Sequence, residues 1–219
     1  IGSLIGKQQD ETIASFISVK AFNDQQFVLM VTRDGIIKKV VLSEFSNPRR
    51  NGITAANLKG NDRLVDVRLT DGRHDVVIGT AKGMAIRFHE QELRPMGRNA
   101  AGVRGIKLGK GDSVVGAITL QRKGTTILVA TDRGYGKRSE EDEYRVSHRG
   151  GKGIKTVKIT DKTGSMVAIR EVLETDDIVV VTTGGMVIRQ HASDVRVAGR
   201  NTQGVRLLRL QEKDEVADI

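Results

Sequence analysis

The sequence predicts an all-β protein, a β-propeller-like array of about four four-stranded blades. Three observations carry this. Two glycine landmarks recur together with a period of about fifty residues. Apolar runs of strand type lead into each first landmark, and no stretch sustains a 3.6-residue helical period over three turns. Glycine is abundant at 25 residues and proline scarce at two, so the chain reverses in tight glycine turns rather than proline-rich linkers.

The first landmark is T-x-x-G, in Thr32 to Gly35, Thr80 to Gly83, Thr131 to Gly134 and Thr182 to Gly185. The second is Gly52, Gly102, Gly153 and Gly204, each followed by Ile or Val. Four residues after each turn glycine stands a base (Lys39, Arg87, Arg138, Arg189), and nine after it an acid (Glu44, Glu92, Glu143, Asp194). Ten after it stands an apolar residue (Phe45, Leu93, Tyr144, Val195). The base and acid of each repeat are expected to pair with each other.

The first strand of each blade is the apolar run before the turn: Phe27 to Val31, Val76 to Ile78, Ile127 to Ala130 and Ile178 to Val181. The second follows it, as in Ile36 to Val41, closing a hairpin whose turn needs the positive φ that glycine adopts cheaply. Short pieces such as His89 to Leu93 and Ser139 to Tyr144 suit single helical turns. The third and fourth strands are exemplified by Val103 to Leu108 and Val114 to Ile118. Four strands per fifty residues is the arithmetic of a propeller blade.

The repeats read as 26–72, 74–123, 125–175 and 177–219. Residues 1–22, with Ile5-Gly6-Lys7 resembling Leu108-Gly109-Lys110, read as the tail of a preceding repeat. A lone blade cannot bury both faces, so residues 1–219 are expected to be a single repeat domain, a fragment of a larger array. The alternative is a two-sheet sandwich, which has no reason to repeat landmarks.

Composition narrows the partner. Lys and Arg number 36 against 27 Asp and Glu, a net charge of +9, which suits an extended polyanion. Aromatics are 3% with no Trp, which disfavours base stacking on single strands and favours backbone-directed binding to duplex. The absence of Cys excludes disulfides and thiolate metal sites and suits a reducing cytoplasm. No apolar run is long enough to span a bilayer.

The bases concentrate in the loop and third strand of each repeat. Gly97-Arg98-Asn99-Ala100-Ala101-Gly102-Val103-Arg104 returns as Gly199-Arg200-Asn201-Thr202-Gln203-Gly204-Val205-Arg206. Between them Arg145 to Lys158 holds five bases and no acid. Candidate DNA-binding residues are Arg49, Arg50, Arg98, Arg104, Lys107, Arg149, Lys152, Lys155, Lys158, Arg200, Arg206 and Arg209. Glycines beside them let the backbone approach a phosphate and donate amide N–H groups. Any single one of these arginines suits an ion pair with a neighbouring blade equally well. No catalytic signature is present: there is no G-x-x-x-x-G-K-[ST], no G-x-S-x-G and no H-E-x-x-H. The acids recur as repeat landmarks, and the histidines stand apart from any ligand spacing. No metal, cofactor or small-molecule substrate is expected.

The G-R-N-x-x-G-V-R segments, the T-x-x-G-x-x-x-[KR] hairpins and Arg133-Gly134-Tyr135-Gly136-Lys137-Arg138 resemble the C-terminal DNA-wrapping domain of bacterial gyrase A proteins, of the type IIA topoisomerases. The resemblance covers essentially the whole chain. It implies a β-pinwheel, a propeller with strands exchanged between adjacent blades, usually six in number. The family's box is Q-[RK]-R-G-G-[RK]-G, normally in the first blade. His148, Arg149, Gly150, Gly151, Lys152 and Gly153 match its last five positions with the residue before them, Ser147 stands in place of Gln, and the copy lies in the third complete repeat. By resemblance the domain wraps duplex DNA around a basic rim and directs supercoiling. Its partners are then the rest of the gyrase A protein and the gyrase B protein, in the bacterial cytoplasm at the nucleoid. The cleavage tyrosine and the ATP site of that enzyme lie elsewhere, so this chain alone is expected to have no turnover. Two other readings stand beside it: the equivalent domain of topoisomerase IV, and a propeller scaffold for protein interaction.

Overall fold

The computed structural model describes residues 13–49 and 52–219; Arg50 and the partial repeat's Ile5-Gly6-Lys7 lie outside the described residues. The unit of the fold is the expected hairpin. Strands β1 (Phe27–Thr32) and β2 (Ile36–Val41), β4 (Asp75–Thr80) and β5 (Met84–His89), β8 (Thr126–Thr131) and β9 (Tyr135–Glu140), and β12 (Asp177–Thr182) and β13 (Val187–His191) pair antiparallel. Gly35, Gly83, Gly134 and Gly185 occupy the equivalent turns, all at positive φ.

The threonine of T-x-x-G has a double role that the sequence alone did not reveal. Its carbonyl accepts from the turn glycine's amide, as in Gly83 N to Thr80 O at 2.9 Å. Its hydroxyl accepts from the next amide, as in Ile36 N to Thr32 Oγ1 at 3.2 Å and Met186 N to Thr182 Oγ1 at 3.1 Å. Both orphan donors of the reversal are thereby satisfied within five residues.

A single helical turn follows each hairpin, at Leu42–Phe45, Glu90–Glu92, Glu141–Glu143 and Ala192–Asp194. The fourth strand of each repeat is β3 (Leu64–Thr70), β7 (Val114–Leu120), β11 (Met166–Val172) or β15 (Val216–Asp218), and it returns to its own hairpin. The third strand does not. Strands β6 (Val103–Arg104), β10 (Ile154–Lys155) and β14 (Val205–Arg206) each join the hairpin of the preceding repeat. The sheet orders are β3-β1-β2-β6, β7-β4-β5-β10, β11-β8-β9-β14 and β15-β12-β13. The reading of four consecutive strands per blade is therefore corrected, and the exchange implied by the resemblance is present. The third strand is also shorter than the expected Val103 to Leu108, because only its first two residues pair in ladder geometry.

Both landmarks follow from the exchange. The incoming chain crosses the preceding turn closely enough for Gly105 N and Thr156 N to donate to Gly35 O and Gly83 O at 2.8 Å. A Cβ at Gly83 would lie 2.4 Å from the Val157 carbonyl oxygen, and one at Gly153 2.3 Å from that of Ala85. At Gly35, Gly83, Gly102, Gly134, Gly153 and Gly204 the landmark marks where two backbones touch, whereas Gly52 and Gly185 meet nothing within 4 Å.

Apolar side chains fill the space between successive sheets. Leu29, Ile37, Ile78, Ile86, Phe88 and Ile106 join the first two, Val77, Ile118, Val129, Tyr144 and Ile169 the next two, and Leu128, Ile178 and Val195 the last two. The fourth strands converge on a central space of about 790 Å³. There Arg68, paired with Asp66 of its own strand, donates to the Ala117 carbonyl of the next blade at 2.9 Å, and Arg170 pairs with Asp218 of the blade after its own at 2.5 Å. The third strands lie at the opposite, outer edge.

Candidate nucleic-acid interface

The loop arginines are anchored from both ends. The amide nitrogens of Arg98, Arg149 and Arg200 donate to Glu44, Glu92 and Glu143 at 3.2, 3.1 and 2.8 Å. Their guanidinium groups donate to the carbonyls of Thr54, Arg104 and Lys155 at 3.2, 3.2 and 2.9 Å. Each acid acceptor and each carbonyl belongs to the preceding repeat, so every loop is clamped onto the blade before it. All three arginines are half-buried.

This corrects one expectation. The acid nine residues after the turn does not pair with the base of its own repeat but receives the next repeat's loop amide. In the first three repeats the base instead reaches forward to the next helical turn. Lys39 Nζ meets Glu90 Oε1 at 3.6 Å and its carbonyl at 3.1 Å. Arg87 donates to Glu141 at its carboxylate and at its carbonyl, the latter at 3.0 Å, and pairs with Asp75 at 2.7 Å. Arg138 donates to the Val195 carbonyl at 2.8 Å. Arg189 pairs with Asp177. The structural role expected of these bases stands, with different partners.

The bases on the exchanged strands are differently placed. Arg104 and Lys107, Lys155 and Lys158, and Arg206 and Arg209 occupy matching positions in three consecutive blades, and all are exposed. Thr54 and Asn57 hold those places in the first repeat. Among the described residues none of the six forms an ion pair with a carboxylate. Main-chain hydrogen bonds join the first two of these exchanged segments to the following loop: Gly150 N donates to Gly105 O at 2.6 Å, Lys107 N to Gly151 O at 2.8 Å, and Lys158 N to Thr202 O at 2.9 Å. The outer edge is thus one connected surface running from blade to blade, with bases at a fixed period and amides alongside.

The box sits on this edge. Lys152 is exposed, Gly150 and Gly153 have φ of 78° and 73°, and the exposed His148 ring lies 3.2 Å from Glu92. Beneath the two G-R-N loops lies a feature missed in the sequence. Lys38 donates to the carbonyls of Ala55, at 2.9 Å, and Arg98, while Lys137 donates to that of Gly199. Burial lowers both ammonium groups, pushing Lys137 down to about 8. Under the box the same position is Ile86, whose Cδ1 would be 3.5 Å from a Cβ at Gly151. The two loop types therefore have different floors, and the signal was a lysine three residues after the turn glycine in repeats one and three only. Arg49 is exposed. Among the described residues no group of three or more His, Cys, Asp or Glu could hold a metal ion. No helix there is long and apolar enough to cross a membrane.

The family model described as "DNA gyrase C-terminal domain, beta-propeller" matches residues 26–71, 74–121, 125–172 and 176–219. The DNA gyrase A protein of Staphylococcus epidermidis is 45% identical over 214 residues, which are 97% of this chain and 24% of that one. The chain thus spans about a quarter of the length of the curated relatives it matches. Among solved structures, the C-terminal domain of DNA topoisomerase IV superposes with a TM-score of 0.91 at 29% identity, covering 99% of this chain and 68% of that one. The DNA gyrase A C-terminal domain also gives 0.91, at 26% identity, covering 99% and 72%.

Proposed function

The chain belongs to the family of DNA gyrase C-terminal β-propeller domains, and from that membership we propose that it binds duplex DNA along its outer edge and bends it from blade to blade. The observation that carries this is the periodic row of Arg104, Lys107, Lys155, Lys158, Arg206 and Arg209, exposed and without carboxylate partners on strands fixed by backbone exchange. Lys152 and Arg49 extend it. Contacts of this kind neutralise phosphates and read no base, so the binding is tolerant of sequence.

In this reading the chain is a non-catalytic part of gyrase, an ATP-dependent type II topoisomerase. It presents a wrapped segment to the rest of the gyrase A protein and to the gyrase B protein, and so directs supercoiling in the bacterial cytoplasm. The 45% identity to a gyrase A protein and the retained Arg149-Gly150-Gly151-Lys152-Gly153 favour this over the topoisomerase IV equivalent. Residues 1–219 act as a single repeat domain within a larger array. Support for this comes from the fourth sheet, where Val179, Val181 and Val187 leave an apolar face exposed.

The test is a salt titration of duplex binding. Six phosphate contacts give a slope of log K against log salt of about −5, or roughly a 10³-fold loss of affinity between 50 and 200 mM salt. Affinity insensitive to salt would assign the chain to the scaffold reading instead.

A further inference from the structure

We propose that the third blade carries a seat for one phosphate group, formed by the Tyr135 hydroxyl together with Lys162, Arg206 and Arg209. The proposal rests on the DNA-binding reading and deepens one contact of it. Tyr135 opens β9 directly after the turn glycine, where the other repeats place Ile36, Met84 and Met186. An aliphatic side chain there only packs. Tyr135 is 8% exposed as a residue, and its side chain lines an open depression at the outer edge.

The exchanged strand of the next repeat supplies the cations. Arg206 pairs with Tyr135 in the β14 to β9 ladder, and its Nη2 donates to the phenol oxygen at 3.0 Å. Its guanidinium carbon and the Lys162 ammonium each lie 5.5 Å from the ring centroid. With Leu207, Leu208 and Arg209 these groups line an open depression of about 580 Å³ that no acidic residue lines. Among the described residues Lys162, Arg206 and Arg209 form no ion pair with a carboxylate.

The chemistry selects the ligand. The phenol oxygen accepts from Arg206, so its own hydrogen is left to donate outward. Three cations lining one depression repel one another until an anion enters, and a phosphate oxygen meets both needs by accepting from the phenol and from the Arg206 guanidinium. The hydrogen bond from Arg206, aided by its charge and that of Lys162, already holds the Tyr135 phenol below the ordinary tyrosine range. A bound anion acts in the opposite sense. Such a phosphate comes either from the backbone of a bound duplex or from a free anion. The position of the seat in the row of Arg104, Lys107, Lys155 and Lys158 favours the former.

The chain has two tyrosines, so labelling the tyrosine ring at Cζ with carbon-13 gives two resonances. Tyr144, buried and hydrogen-bonded to Thr156, is the internal reference. The pH titration is run on the protein alone, with saturating duplex, and with inorganic phosphate. Duplex is expected to raise the Tyr135 midpoint by on the order of one pH unit while leaving Tyr144 in place. Arg206→Gln should remove that rise. A rise with inorganic phosphate alone keeps the seat and gives it to a free anion. An unchanged Tyr135 midpoint in both arms, with duplex binding confirmed by mobility shift, overturns the seat and leaves the DNA-binding reading standing. Failure to bind duplex at all overturns that reading, and the phosphate arm then decides the seat by itself.

Discussion

A guanidinium has five N–H donors, and at Arg149 part of that set is committed to the Arg104 carbonyl while the residue's amide is held by Glu92. Arg149→Ala is therefore expected to cost about 1 to 2 kcal/mol of stability and to leave the salt slope of DNA binding nearly unchanged. Arg104→Ala and Lys155→Ala should do the reverse, leaving thermal stability alone and reducing the slope by about 0.9 each. Thermal melts and salt titrations of the three variants check both halves, and a reduced slope at unchanged stability for Arg149→Ala would make it a phosphate contact. The buried Lys137 gives a pH signature. Its folded pKa of about 8 lies below the unfolded value of 10.5, so between those values the unfolded chain holds the extra proton and stability rises with pH. Lys38 shifts in the same direction. Burial raises the Tyr144 phenol, which opposes this above pH 10, so the rise should be seen from about pH 8 to 10 in denaturant titrations. Lys137→Met should diminish it. Such pairings were only half legible. The recurrence of a base and an acid was visible, but a period of about fifty residues sets Arg87 as regularly against Glu143 of the next repeat as against Glu92, and the partner it takes is Glu141, two residues before Glu143. Spacing cannot tell a partner in the same repeat from one in the next.

The same ambiguity hid the path of the third strand. Hairpins were legible because strand, turn and strand lie within about fifteen residues and T-x-x-G fixes the reversal locally. Strand β10 lies far along the chain from β5, and its two residues, Ile154 and Lys155, carry no periodicity of their own. What the sequence did hold was the consequence, a glycine wherever the crossing chain meets a carbonyl. Gly83 and Gly153 combine positive φ with backbone atoms inside contact distance, whereas Gly185 has positive φ and nothing within 4 Å of a Cβ. Gly185→Ala should then cost only the backbone strain, about 1 kcal/mol or somewhat more, while Gly83→Ala and Gly153→Ala add a clash that prying the exchanged strand loose must relieve. Chemical denaturation ranks them. Equal losses at all three positions would mean that the exchange contributes nothing beyond turn conformation.

At the scale of the whole molecule, the exchanged strands turn a row of separate blades into one edge, and the edge sets what duplex length can do. Bases at Arg104 and Lys107, Lys155 and Lys158, and Arg206 and Arg209 sit on three successive blades, so a short duplex reaches only some of them. DNA is stiff over about 150 base pairs, and bending a site by 40 to 90° costs on the order of 1 to 6 kcal/mol. Each further blade engaged adds phosphate contacts that must exceed the added bending cost. Affinity should accordingly climb with duplex length until the third pair of bases is reached and then level off. A nick placed within the covered site lowers the bending cost without removing a phosphate contact elsewhere, so nicked duplex should bind more tightly than intact duplex of equal length. Raising the salt should flatten the length dependence, because screening weakens the contacts while leaving most of the stiffness. A titration of graded duplexes, nicked and intact, at two salt concentrations measures all three effects. Affinity independent of length and indifferent to the nick would mean that the duplex lies straight against one blade, and the periodic row of bases would then serve something other than bending.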